Sequence, residues 1–186
     1  SRNSTMHQSD PLCARLPRKA SRVLISLNPM AGRRSVDREV EQLADLLCGQ
    51  GFQTEILSDL EEVSRRANEW HAHGVLRAVI GVGGDGTAGE LANRVNFGVP
   101  LALYPSGTSN LLARQLGFRA DPKFISGMVS AGSIRRLDAG CASGRIFLLM
   151  VSCGFDAEVV RQVHCLRDAH NGGHLTYWSY LKPIFD

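Results

Sequence analysis

The chain has 186 residues, of which 44% are hydrophobic and 21% charged, so it is long and apolar enough to bury a core. Its net charge of +3 is spread along the chain without a basic stripe, which argues against a nucleic-acid-binding protein. An anionic nucleotide or membrane surface is compatible with this charge.

The cysteines and the apolar runs indicate a cellular compartment. The five cysteines are widely spaced and include no C-x-x-C pair, which argues against a disulfide framework and a zinc site. No apolar stretch approaches the roughly 20 residues that cross a bilayer, and the first 20 residues lack the apolar core of a signal peptide. We therefore expect reduced thiols in a cytoplasmic protein whose membrane contact is peripheral.

Residues 1–20 show no periodicity and predict a flexible arm. From 21 to 132, short apolar runs alternate with helical patterns. Strands are predicted at 22–27, 52–57, 77–82 and 100–104. Five helices are predicted: one at 35–48, one that a Ser58–Glu61 capping box begins, one at 87–95, one that ends at Leu116, and one from Asp121-Pro122 to 129. This alternation predicts an α/β nucleotide-binding domain, a parallel sheet with helices on both faces and ligands at the carboxyl ends of the strands.

The pattern changes after Gly132. Two apolar runs, 134–141 and 145–152, are separated by Ala142-Ser143-Gly144 and predict an antiparallel hairpin. We expect residues 133–186 to begin a β-rich second domain that is incomplete. Its unpaired strand edges would favour self-association, so a homo-oligomer is compatible with the sequence.

Glycines follow the third and fourth predicted strands. Gly83, Gly84 and Gly86 allow backbone N–H groups to approach a phosphate at a helix N-terminus. Ser106-Gly107-Thr108 follows the adjacent strand, and Asn28-Pro29-x-x-Gly32 follows the first. These loops predict a phosphate cradle at one edge of the sheet. The chain contains no Walker A motif, and no acid ends the next strand as a dinucleotide fold requires.

Four polar side chains near these glycines have a structural and a functional interpretation. Asp85 either caps the helix that follows it, or organises a metal ion or accepts a proton. Thr87 with Glu90 fits a capping box as well as a ligand contact. Asn93 and Asn110 lie where helices are predicted, and support of a neighbouring loop is favoured over ligand contact for both.

Taken together, the motifs resemble those of the diacylglycerol kinase catalytic family, which sphingosine and ceramide kinases share. The resemblance is carried, in order, by Asn28-Pro29-Met30-Ala31-Gly32, Gly83-Gly84-Asp85-Gly86-Thr87 with Glu90 and Asn93, Pro105 to Arg114, Asp138-Ala139-Gly140, Gly154 to Val159, and Gly173 to Tyr177. It extends from about Val23 to the end. Two positions depart from the family pattern: Gly89 stands where Asn is usual, and Leu111 where many bacterial members have Asp.

The resemblance implies a lipid kinase that uses ATP and Mg²⁺ to phosphorylate a diacylglycerol-type or sphingoid lipid at a membrane surface. It implies a catalytic role for Asp85 and nucleotide contacts from Asn28, Ser58, Gly83, Gly84, Asp85, Gly86, Thr87, Glu90, Gly107 and Thr108. The family's carboxyl-terminal acids are not in these 186 residues, so we expect this chain to bind nucleotide without transferring phosphate. An NAD kinase-like enzyme, which has a similar Gly-Gly-Asp-Gly loop, and a non-catalytic nucleotide-binding module are the alternatives.

Overall fold

The computed structural model describes residues 13–27 and 36–151 of the chain. The elements, in chain order, are strands β1 (Cys13–Arg15) and β2 (Arg22–Leu27), helix α1 (Asp37–Gly49), β3 (Gln53–Leu57), α2 (Leu60–Ala72), β4 (Leu76–Gly83), α3 (Asp85–Arg94), β5 (Leu101–Pro105), α4 (Leu111–Gln115), α5 (Pro122–Ala131), β6 (Ser133–Arg135), β7 (Gly140–Ala142) and β8 (Arg145–Phe147). The predicted α/β class is confirmed.

The central sheet has the order β3-β2-β4-β5, and all of its neighbouring strands are parallel. Strand β4 is buried along its whole length, as an apolar strand covered on both faces must be. Because the strands are parallel, their carboxyl ends meet at one edge. The segments after β3, β4 and β5 therefore all start from that edge.

Helices cover both faces of the sheet. On one face, α1 and α5 bury Val40, Leu43, Leu47, Ile125 and Val129 against β2, β4 and β5. On the other face, α2 and α3 bury Val63, Ala67, Trp70 and Leu91. A third cluster joins α3, α4 and β5 to Leu148 and Leu149, so part of the apolar run after β8 packs against the α/β core.

Residues beyond the central sheet form two short antiparallel pairs. Strands β7 and β8 form the predicted hairpin, although each has only three residues. Strand β6 pairs instead with β1, in the segment that was expected to be a flexible arm. The division of the chain into domains at residue 132 stays a prediction. None of the helices in the described part of the chain is long and apolar enough to span a bilayer.

A buried arginine supports the end of the sheet opposite the glycine loops. The Arg77 side chain is in the interior and donates to the carbonyl oxygens of Val129 at 2.7 Å and Ser130 at 2.6 Å. These carbonyls belong to the last turn of α5, where they lack intrahelical partners. Burial lowers the pKa of the Arg77 guanidinium, which nevertheless stays charged at physiological pH.

Candidate functional site

The two glycine loops contact each other through their backbones. The Ser106 N–H donates to the Gly83 carbonyl oxygen at 3.0 Å. A Cβ atom on Gly107 would lie 2.5 Å from the Gly84 Cα, closer than carbon atoms can approach. Position 107 therefore requires glycine because a side chain would not fit, and not because its backbone has a positive φ. The loops after β4 and β5 form one unit at the carboxyl edge.

Asp85 joins the same two loops through its side chain. Its Oδ2 accepts the Leu111 N–H at 3.0 Å, and its Oδ1 accepts the Leu112 N–H at 2.9 Å. Both donors belong to the first turn of α4, whereas Asp85 is the first residue of α3. The prediction that Asp85 caps the helix that follows it is therefore wrong, because its carboxylate caps the neighbouring helix α4.

Asn110 closes the second glycine loop on itself. Its Oδ1 accepts the Gly107 N–H at 3.0 Å, and its Nδ2 donates to the Gly107 carbonyl oxygen at 2.8 Å. The residue has a left-handed backbone, with φ 50° and ψ 44°, which Asn tolerates better than most residues. The expectation that Asn110 supports a loop is confirmed. The Gly107 N–H already has a partner within the loop.

A cavity of roughly 130 Å³ lies at the same edge of the sheet. The residues that line it come from the ends of β2 and β3 and from the starts of α2 and α3: Ser26, Ser58, Leu60, Gly86, Thr87 and Glu90. Four of the residues expected to contact nucleotide, Ser58, Gly86, Thr87 and Glu90, therefore lie together. The Thr87 side chain packs so closely over Gly83 that a Cβ on Gly83 would collide with it.

The remaining expected contacts occupy different positions. Gly83, Gly84, Asp85 and Gly107 build the junction between the loops beside the cavity. Thr108 is exposed in the second loop and is not among the described residues that line the cavity. Asn28 lies outside the described residues.

Two capping predictions need correction. The Ser58–Glu61 capping box is wrong by one residue, because Asp59 is the N-cap of α2 and accepts the Glu62 N–H at 2.8 Å. The Thr87–Glu90 capping box is also wrong. Helix α3 begins at Asp85, so Thr87 already lies inside its first turn.

An ion-pair network lies along α3 at the cavity wall. The Glu90 carboxylate accepts from Arg145 of β8 at 2.7 Å and pairs with Arg94 at 3.3 Å. Arg94 also pairs with Glu61 of α2. The network joins the cavity wall to the β7–β8 hairpin. Arg145 was not predicted, because nothing local in the sequence identifies a partner 55 residues away.

Asn93 makes the second connection between α3 and the hairpin. Its Oδ1 accepts the Ile146 N–H at 2.8 Å, while its Nδ2 donates to the Ile146 carbonyl oxygen at 2.8 Å. The expectation that Asn93 supports a neighbouring segment is confirmed.

The sequence analysis missed Ser26, which lines the cavity and is buried. A serine among the apolar residues of strand β2 was a usable signal, because a buried hydroxyl group needs a hydrogen-bond partner.

Comparison with known proteins identifies the family. Residues 22–142, more than half of the chain, match the diacylglycerol kinase catalytic domain. The chain belongs to this family of lipid kinases.

Named relatives and a solved structure agree with the family match. The chain is 29% identical over 133 residues to a Pseudomonas fluorescens protein named "Probable lipid kinase YegS-like", and 34% identical over 101 residues to a protein of that name from Pseudomonas aeruginosa. These matches cover 69% and 53% of this chain but only 44% and 33% of the relatives, so the chain spans less than half of their length. The fold is similar to the crystal structure of a diacylglycerol kinase from Bacillus anthracis, with a TM-score of 0.56 and 24% identity over 77% of this chain and 53% of that chain.

Proposed function

We propose that this chain is the nucleotide-binding part of an ATP-dependent lipid kinase. The enzyme would transfer the γ-phosphate of ATP to the hydroxyl group of a lipid such as a diacylglycerol or a sphingoid base. The observation that carries the proposal is the cavity at the carboxyl edge of the sheet, which Gly86 and Thr87 of the first glycine loop line. Membership of the lipid kinase family supports it.

The phosphates would bind at the N-terminus of α3. The first N–H groups of a helix have no intrahelical partners, and the helix dipole adds partial positive charge there. Gly86, which is exposed and has no side chain, lets a phosphate approach this turn closely. The start of α4 is a poorer site, because the Asp85 carboxylate already accepts two of its N–H groups.

The cavity is smaller than the roughly 300–1,000 Å³ of a typical whole-ligand site, so it would hold one part of the nucleotide. The hydroxyl groups of Ser26 and Ser58 and the Glu90 carboxylate are the polar groups of its walls besides Thr87. Such groups can orient a sugar or a phosphate by hydrogen bonds. Asn28 follows β2 directly in sequence, and its contact with the nucleotide stays a prediction.

The arrangement suits a reaction that needs positioning and charge neutralisation more than covalent help. Residues 13–27 and 36–151 contain no group of three His, Cys, Asp or Glu side chains placed to hold a metal ion. Mg²⁺ usually binds through one or two carboxylates together with substrate phosphates, and Glu90, which pairs with Arg94 and Arg145, is the carboxylate in the cavity wall. When bound, Mg²⁺ neutralises charge on the phosphates. The lipid partner would be met at a membrane surface by peripheral contact.

Two measurements test this function. Calorimetry of the 186-residue chain with Mg-ATP is expected to show binding, and absence of binding would refute the proposal. The full-length product of the native gene is then incubated with labelled ATP and, in parallel reactions, with diacylglycerol, sphingosine or NAD. Label in a lipid supports the proposal, label in NAD favours an NAD kinase-like enzyme, and binding without transfer to any acceptor favours a nucleotide-binding module.

A further inference from the structure

Helix α4 lacks an N-terminal cap from its own sequence. A residue that caps a helix usually has an extended backbone and accepts an N–H of the first turn with its own side chain. Asn110 occupies that position with a left-handed backbone and makes no such bond. Its side chain is held by Gly107, as described above. The first N–H groups of α4 therefore depend on a partner from elsewhere in the chain.

Asp85 is that partner, from 26 residues earlier in the sequence. Each carboxylate oxygen accepts one N–H, from Leu111 and Leu112 respectively. Because Asp85 is also the first residue of α3, its negative charge lies at the amino ends of two helices. Both ends carry partial positive charge, and a carboxylate near them is stabilising.

We propose that Asp85 is a positioning residue that holds the second glycine loop against the first, and that its effect on nucleotide binding passes through this contact. The assignment rests on the proposed function only for the claim that the joined loops bind nucleotide. It places the principal role of Asp85 in the capping of α4, and not in proton transfer. The Ser106–Gly83 hydrogen bond and the close approach of Gly107 to Gly84 are the features that Asp85 maintains.

Hydrogen exchange tests the contact without ATP. In the wild-type chain, the Leu111 and Leu112 amides are expected to exchange slowly, although first-turn amides have no intrahelical partner. In Asp85→Asn, one oxygen is replaced by an NH₂ group that faces an N–H donor. Exchange at Leu111 and Leu112 should then accelerate at least about tenfold, and the ATP dissociation constant should rise about tenfold.

Asp121→Ala is the matched control, because Asn would keep the Oδ1 atom that accepts both N–H groups. Asp121 caps α5 by accepting the Lys123 N–H at 2.9 Å and the Phe124 N–H at 3.4 Å, and it does not line the cavity. This variant should speed exchange at residues 123 and 124 and lower the free energy of unfolding, yet leave ATP binding unchanged. A general loss of stability would weaken ATP binding in both variants, whereas a positioning role weakens it in Asp85→Asn alone.

The outcomes separate the possible roles. Rapid exchange of the Leu111 and Leu112 amides in the wild-type chain would overturn the proposal, and this measurement needs no variant to fold. Accelerated exchange with unchanged ATP affinity, together with lost phosphate transfer in the native protein, would also overturn it, because Asp85 would then act chemically. If the wild-type chain binds no ATP, the proposed function is refuted. The exchange rates of the Leu111 and Leu112 amides would still decide whether Asp85 caps α4.

Discussion

Replacing Gly107 with Ala should separate the two glycine loops. The new Cβ would lie 2.5 Å from the Gly84 Cα and 3.0 Å from the Gly84 nitrogen. Carbon atoms make favourable contact at about 3.5–4.0 Å, so the loops must part by roughly 1 Å. Such a movement would stretch the Ser106–Gly83 hydrogen bond, now 3.0 Å long, beyond bonding distance.

The expected cost follows from overpacking and from the lost bond. Inserting a methyl group where backbone must move typically costs about 1–3 kcal/mol, and we expect the free energy of unfolding to fall by that amount. If the same strain opposes the closed loops that bind nucleotide, ATP affinity should fall about 10- to 100-fold. Urea denaturation followed by circular dichroism measures the first quantity, and calorimetry measures the second.

Gly89→Ala is the control for this variant. A Cβ on Gly89 would meet no atom within 4 Å in the part of the chain that the structure describes, and the residue lies in the middle of α3. This change should raise stability by about 0.5–1 kcal/mol through helix propensity, with ATP affinity unchanged. Equal stability and equal ATP affinity of Gly107→Ala and the wild-type chain would refute the reasoning about the loop contact.

Two further variants separate binding from stability. Gly86→Ala should stabilise α3 by about 0.5–1 kcal/mol, because a Cβ there would meet no atom of the described residues within 4 Å. It should weaken ATP binding, because it adds a methyl group to a residue that lines the cavity, and tighter or equal binding by calorimetry would contradict this. Arg77→Met should lower the free energy of unfolding by about 1.5–3 kcal/mol, because it removes charged hydrogen bonds to Val129 and Ser130. The nucleotide affinity of folded Arg77→Met, measured below its melting temperature, should equal that of the wild-type chain, since Arg77 lies at the opposite end of β4.

The main elements of the α/β core were predictable because their signals are local. Apolar runs predicted the four parallel strands to within one residue at every end, and Asp121-Pro122 predicted the start of α5. Adjacent polar residues limited the prediction at α2, where Ser58 and Asp59 both suit an N-cap and the structure uses Asp59.

Non-local contacts account for most of what was missed. Strand β1 has three exposed residues without periodicity, and its partner β6 lies about 120 residues further along the chain. The sequence suggested that Asp85 caps the helix that follows it and could not indicate α4, because Asp85 and α4 are brought together by the pairing of β4 with β5. Periodicity carries no information about such a pairing.

The Asn93 side chain restricts where a further strand can pair with the β7–β8 hairpin. By bonding both the N–H and the carbonyl oxygen of Ile146, its amide takes the place that a neighbouring backbone would occupy. Ile146 pairs with Cys141 on its other side, so a strand joining β8 at this residue must first displace a helix side chain. A single amide thus closes one edge of the hairpin to strand addition, and enlargement of this small sheet is directed towards β7.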